Sequence, residues 1–132
     1  MIRGAGDAAD TGPLLSEQDG EVVYDHFQAG SELLSDGHPA QACVRLEKAR
    51  RLAPEWCSIR EALGRAYFAV GRLHEAEAEF RAILARAPSD DYAHYCLART
   101  LRRLGRTTEA GTHLTLARAL SPADPRYTLL RP

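Results

Sequence analysis

The sequence predicts an all-α chain of three helix–turn–helix repeats. The clearest unit runs from Cys57 to Pro88, where two amphipathic helices are written back to back. Ile59, Ala62, Leu63, Ala66, Tyr67 and Val70 follow the i, i+3, i+4, i+7 spacing of one helical face, and Leu73, Ala76, Phe80, Ile83, Leu84 and Ala87 line one side of the next helix. Gly71 relaxes the join, and Pro88 stops the second helix because proline has no amide proton and restricts its predecessor. A second observation is repetition. Pro54, Pro88 and Pro122 recur every 34 residues, as do Gly37, Gly71 and Gly105, then Ala42, Ala76 and Ala110. Gly30, Gly64 and Ala98 keep the same register, and so do Leu46, Phe80 and Leu114. The third is physical. One helix pair cannot bury its own apolar faces, so it needs copies of itself alongside.

A period of about 34 built from helix pairs resembles the tetratricopeptide repeat family, specifically a small three-repeat protein of the bacterial type. The resemblance covers roughly Val23 to Asp124. Leu63, Gly64, Tyr67, Ala76, Phe80 and Pro88 match the family pattern in the middle repeat. Leu33 and Leu101 stand in the tyrosine column of the other two repeats, and across all three repeats His26, Arg60 and His94 replace the usual leading tryptophan. The resemblance implies a right-handed α-solenoid over residues 16–122, with repeats at about 23–56, 57–90 and 91–124. Residues 123–132 would form a short cap or tail.

Taken in order, residues 1–15 set Gly4, Gly6, Gly12 and Pro13 among Ala and Asp, and read as a flexible tail. Ser16 can cap a helix from about Glu17 to Leu34, with Glu17 and Asp19 suiting its positive end. Val22, His26, Ala29 and Leu33 are expected on its packing side. Ser35, Asp36 and Gly37 break it. Pro39 suits the first turn of the next helix, which carries Ala42, Leu46 and Ala49 to about Leu52. Ser89-Asp90-Asp91 caps the third repeat, whose first helix ends near Gly105. Thr107 and Glu109 start its partner, which ends at Leu120. Asp124-Pro125 reads as one more cap and first turn.

Composition fits a globular chain: 132 residues, 45% hydrophobic and 27% charged. The net charge of −1 conceals an asymmetry. Residues 1–38 carry one base and eight acids, and residues 39–132 carry 16 bases and 10 acids. Such polarity speaks to association rather than to fold. Cys43, Cys57 and Cys96 are odd in number and form no CxxC pair, which suits a reducing, cytoplasmic setting. No apolar run approaches a membrane span or a signal-peptide core, so no membrane association is expected.

The resemblance is to a binding architecture, and it implies a concave groove lined by the first helix of each repeat. The family's groove columns fall on Tyr24, Phe27, Ser31 and Leu34, then Ser58, Glu61, Arg65 and Phe68, then Tyr92, Tyr95, Arg99 and Arg102, with Arg103 at the margin. The first third is aromatic and apolar, and the last is basic with two tyrosines. Arginine grips carboxylates or phosphates with paired donors, and aromatic rings bury area at low entropic cost. The expected ligand is therefore a protein or peptide segment with an acidic part and an apolar anchor. The family's clamp for heat-shock chaperone tails needs paired Lys-Asn and Lys-Arg. Phe27, Ser31, Ala62, Tyr92 and Cys96 hold those columns, so that role is not expected.

Catalysis, cofactors and metals are not expected either. His26, His38, His74, His94 and His113 form no HExxH, and no GxSxG, P-loop or CxxC occurs. Nucleic acid is the weaker partner class: Arg99, Arg102, Arg103 and Arg106 make a short basic stripe, but no nucleic-acid module is recognisable. A structural alternative is a homodimer through the end of repeat three, with Tyr127, Leu129 and Leu130 the residues available to cover that flank.

Overall fold

Helix ends fall where the sequence places caps and glycines. The computed structural model describes residues 15–129, so the tail expected over residues 1–15 lies almost wholly outside the described residues, as does Leu130. Seven helices follow in order: α1 (Glu17–Ser35), α2 (Pro39–Leu52), α3 (Cys57–Val70), α4 (Leu73–Arg86), α5 (Asp91–Arg103), α6 (Thr107–Leu120) and α7 (Pro125–Leu129). No strand occurs among the described residues.

Ser16 caps α1, its hydroxyl accepting from the Asp19 amide at 3.0 Å. Asp90 caps α5, its carboxylate accepting from the Ala93 amide at 3.0 Å. Both satisfy a helix-start donor that would otherwise have no partner. Gly37, Gly71 and Gly105 have φ of +85, +84 and +82°, a region that side-chain-bearing residues rarely enter. Each closes the same reverse turn. Gly71 N–H donates to the Phe68 carbonyl at 3.1 Å and Arg72 N–H to that of Tyr67 at 2.8 Å, and the bonds around Gly37 and Gly105 repeat this.

The chain divides into two compact units, one ending at Leu63 and one beginning at Gly64, with the boundary inside α3. In the first unit α1 packs on α2. Val23, Ala49, Ala53 and Ile59 form its buried cluster, with Phe27 and Trp56 packed against them. The expected packing side of α1 is corrected here. Val22 is 45% exposed and Val23 fully buried. The reason is Gly30, where an added Cβ would lie 2.5 Å from Cγ of Leu46. That close approach fixes which face of α1 meets α2. Counting back from Gly30 by three and four residues leads through His26 and Phe27 to Val23, whereas Val22 turns outward.

In the second unit α5 is packed by α4 and α6. Ala93, His94, Cys96, Leu97, Ala98, Thr100 and Leu101 are all buried along it. The Thr100 hydroxyl is satisfied by donating to the Cys96 carbonyl at 2.8 Å. Gly64 allows the Phe80 ring to press on α3, since a Cβ there would meet the ring at 2.7 Å. Tyr127 of α7 is fully buried with Ala98, Leu114 and Ala117. Its hydroxyl donates to the Asp91 carboxylate at 2.6 Å, and its carbonyl accepts from Arg118 Nε at 2.6 Å. Burying such a ring contributes roughly 2–3 kcal/mol, and it packs α7 against α5 and α6.

Candidate functional site

The second unit gathers cations and aromatic rings on α3, α5 and α7. Arg99 and Arg103 lie one turn apart on α5, so their side chains share a face. Both reach the Phe68 ring, with guanidinium carbons 4.8 and 4.9 Å from its centroid. Arg99 also stands 5.8 Å from the Tyr95 centroid. Phe68, Arg99, Arg102 and Arg103 line an open pocket of about 220 Å³. Tyr92 and Tyr95 are one turn apart in the first half of α5, centroids 6.0 Å apart. Arg126 lies over Tyr92 at 4.9 Å, Tyr127 at 5.4 Å and Tyr95 at 6.0 Å.

The arginines of this unit differ in their partners. Arg81 bonds Glu77 at 2.9 Å and Glu109 at 3.0 Å, and Arg106 bonds Glu77 and Glu109, both at 2.8 Å. Burial pushes the Glu77 carboxyl up, but hydrogen bonds from Arg81 and Arg106 prevail and hold it below the usual range. Arg72 pairs with Glu75, and Arg126 grips Asp124 through both Nε and Nη2. By contrast, Arg99, Arg102 and Arg103 have no hydrogen bond or ion pair with any described residue; the two that make contacts touch rings alone. Three positive charges therefore line one pocket, two of them over the Phe68 ring, without a carboxylate among its lining residues.

Of the sequence-selected residues, the structure brings together Phe68, Arg99 and Arg102, with Tyr95 beside Arg99 and Tyr92 against Tyr95. Arg65 is exposed one turn before Phe68. In the first unit Tyr24 is 55% exposed, and Phe27 is half-buried because its ring supports the Val23 cluster. Ser31 lines a shallow polar depression with Glu32, Ser35 and Asp36, while Leu34 and Glu61 are half-buried. Arg126 was missed by the sequence reading. Its signal was the Asp124-Pro125 helix start, which places the next residue beside the tyrosines of α5.

His94 fills its column as a buried residue and stacks on His113, ring centroids 5.2 Å apart. Their Nδ1 atoms are 3.0 Å apart, and His94 Nε2 lies 2.8 Å from the Pro88 carbonyl. A single proton satisfies the Nδ1–Nδ1 contact, so the two rings cannot both be charged without loss. Burial first, then the neighbouring His94, lowers the His113 pKa. Among the described residues no group of three or more His, Cys, Asp or Glu is placed to hold a metal ion, and no helix is long and apolar enough to cross a membrane.

Comparison with known proteins bears on the fold and the family. A family model for the tetratricopeptide repeat matches residues 61–125. No curated protein matches the chain in sequence. Among solved structures, the first tetratricopeptide domain of Spaghetti (RPAP3), bound to the HSP90 peptide SRMEEVD, superposes with a TM-score of 0.77 at 18% identity, covering 82% of this chain and 86% of that one. YrrB, described as a tetratricopeptide protein with an unusual peptide-binding site, gives 0.75 at 22% identity over 78% of this chain and 53% of its own. MamA from Desulfovibrio magneticus gives 0.76 at 21% identity over 80% and 59%. The chain thus spans little more than half of the latter two. With their helix pairs and the glycine turns at Gly71 and Gly105, residues 61–125 belong to the tetratricopeptide repeat family, and the solved repeat domain of RPAP3 shares the fold over 82% of the chain.

Proposed function

We propose that this chain is a non-enzymatic interaction adaptor that holds an acidic peptide segment bearing an apolar anchor. The observation that carries this reading is the set of three arginines without carboxylate partners around Phe68. A charge left without a counterion on a structured face is an invitation to an anionic ligand, and guanidinium forks suit carboxylates. Tyr92 and Tyr95, adjacent on α5, offer the aromatic surface for the anchor. In the first unit Tyr24, Phe27, Ser31, Leu34 and Glu61 are proposed as contact residues on their own account, and in the second Arg65 is proposed as a further contact residue. RPAP3, of similar fold, binds an HSP90 peptide whose sequence SRMEEVD is itself acidic, which supports the ligand class. The particular HSP90 tail is not carried over, because Phe27, Ser31, Ala62, Tyr92 and Cys96 replace the polar clamp residues.

Selection from a randomised displayed-peptide library tests this. The wild type is expected to enrich peptides with Asp or Glu beside an aromatic or aliphatic residue. An Arg99→Glu/Arg103→Glu variant, folded by circular dichroism, is expected to lose them. No acidic enrichment, or enrichment that survives the variant, overturns the proposal.

A further inference from the structure

We propose that the Phe68–Arg99–Arg102–Arg103 pocket recognises a phosphate monoester on its peptide, a phosphorylated serine or threonine, in preference to an aspartate or glutamate. The inference rests on the peptide-binding reading above and narrows its ligand. It starts from a mismatch of charge. One carboxylate carries a single negative charge, which balances one arginine. Arg126 with Asp124 shows that one-to-one arrangement in this chain. The pocket offers three guanidiniums and no acid among the described residues. A phosphate monoester carries a charge of about −1.5 to −2 at neutral pH and three terminal oxygens. It can balance more than one arginine and presents three oxygens to their donors, where a carboxylate offers one charge and two oxygens.

Geometry supports the same ligand. Arg99 and Arg103 both rest on the Phe68 ring, at 4.8 and 4.9 Å. Contact with the ring face engages the flat side of a guanidinium and leaves its N–H edge available. The ring also shields one side of the pair from water, which strengthens a charge-assisted hydrogen bond on the other. Arg102 and Arg103 sit in the last turn of α5, where the helix's negative end favours cations without any ligand. That does not account for Arg99, a turn earlier, nor for the missing acid: the neighbouring arginines at 72, 81, 106 and 126 all have one.

The test is an NMR titration of the arginine Nε–H resonances of the full chain at matched ionic strength, with N-acetyl-O-phosphoserine amide and N-acetylglutamate amide as probes. The phosphate probe is expected to shift Arg99 and Arg103 and to saturate at a concentration about tenfold lower than the carboxylate. Its affinity is expected to fall as pH drops through about 6, where the phosphate takes up a proton, while the glutamate probe keeps its affinity. Arg99→Lys/Arg103→Lys keeps the charge but removes the forks, and is expected to erase the preference. Equal affinity for the two probes overturns the phosphate preference and leaves acidic-peptide binding standing. Arginine resonances unmoved by either probe overturn both. Oligothymidylate that binds more tightly than the phosphoserine probe, with the same shifts, overturns the proposal in favour of a nucleic-acid backbone.

Discussion

Gly64→Ala is expected to destabilise the second unit although alanine is the better helix former. A Cβ built at Gly64 lies 2.7 Å from both Cε1 and Cζ of Phe80 and 3.2 Å from Cδ1. Phe80 is 1% exposed, so its ring has little room to swing aside. Forcing extra carbon into a packed core costs about 1–3 kcal/mol, and two contacts this short belong at the upper end. Alanine's helix propensity returns about 1 kcal/mol, which leaves a net loss of about 2 kcal/mol. For a chain of this size that lowers Tm by about 8 °C. The third repeat supplies the control, because there Ala98 faces Leu114 and both are buried in one cluster. Phe80→Leu alone is expected to cost about 1 kcal/mol, yet Gly64→Ala/Phe80→Leu should be more stable than the summed single effects by a further ~1 kcal/mol. Urea unfolding followed by far-UV circular dichroism measures all four proteins. If Gly64→Ala matches the parent, or the two changes simply add, the close approach does not explain the glycine.

Tyr127→Phe removes the donor to Asp91 and is expected to cost about 1.5 kcal/mol, with Tyr127→Ala costing about 3 kcal/mol by emptying a fully buried ring site, both read from urea midpoints. Equal stability of Tyr127→Phe and parent would mean that the hydrogen bond contributes nothing. Gly71→Ala forces a side chain into φ +84° and should cost about 1 kcal/mol without altering helix content in circular dichroism. For pH, the sign follows from His113: its folded pKa lies below the ordinary 6.5, so the unfolded chain binds more protons as pH falls below that value. Urea midpoints should therefore decline between about pH 7 and pH 5, and His113→Gln should flatten that decline. His26, whose pKa is lowered first by burial and then by Arg45 and Lys48, adds to the same window. Glu77, Glu109 and Asp124 act separately, since their stabilisation is lost only as pH falls below the usual carboxylate range, 4.5 for the two glutamates. A slope unchanged by His113→Gln would refute the role given to the histidine pair.

The family and the helix boundaries were legible because their determinants are local or periodic. Ser16, Asp90 and Pro39 act on the first turn of their own helices, and Gly37, Gly71 and Gly105 act through their own φ. No distant residue is needed for these effects, so spacing and chemistry suffice to find them. The basic stripe of α5 was legible in the same way, since Arg99, Arg102 and Arg103 share a helical face by arithmetic alone.

Other features required knowing which surface each face meets. Both Val22 and Val23 fit an apolar stripe, and only the contact of Gly30 with Leu46 chooses between them. Composition marks Arg106 and Arg99 as equivalent cations, yet the fold gives the first two glutamates and the second two aromatic rings. The sequence by itself determined the repeat, its turns and the supply of cations and tyrosines, since those follow from backbone chemistry at fixed intervals. Only the tertiary structure decided which arginines are neutralised, which histidines share a proton and that Tyr127 closes over Ala98, Leu114 and Ala117. Those outcomes depend on distances of a few ångströms between residues far apart in the chain, and periodicity carries no information about them.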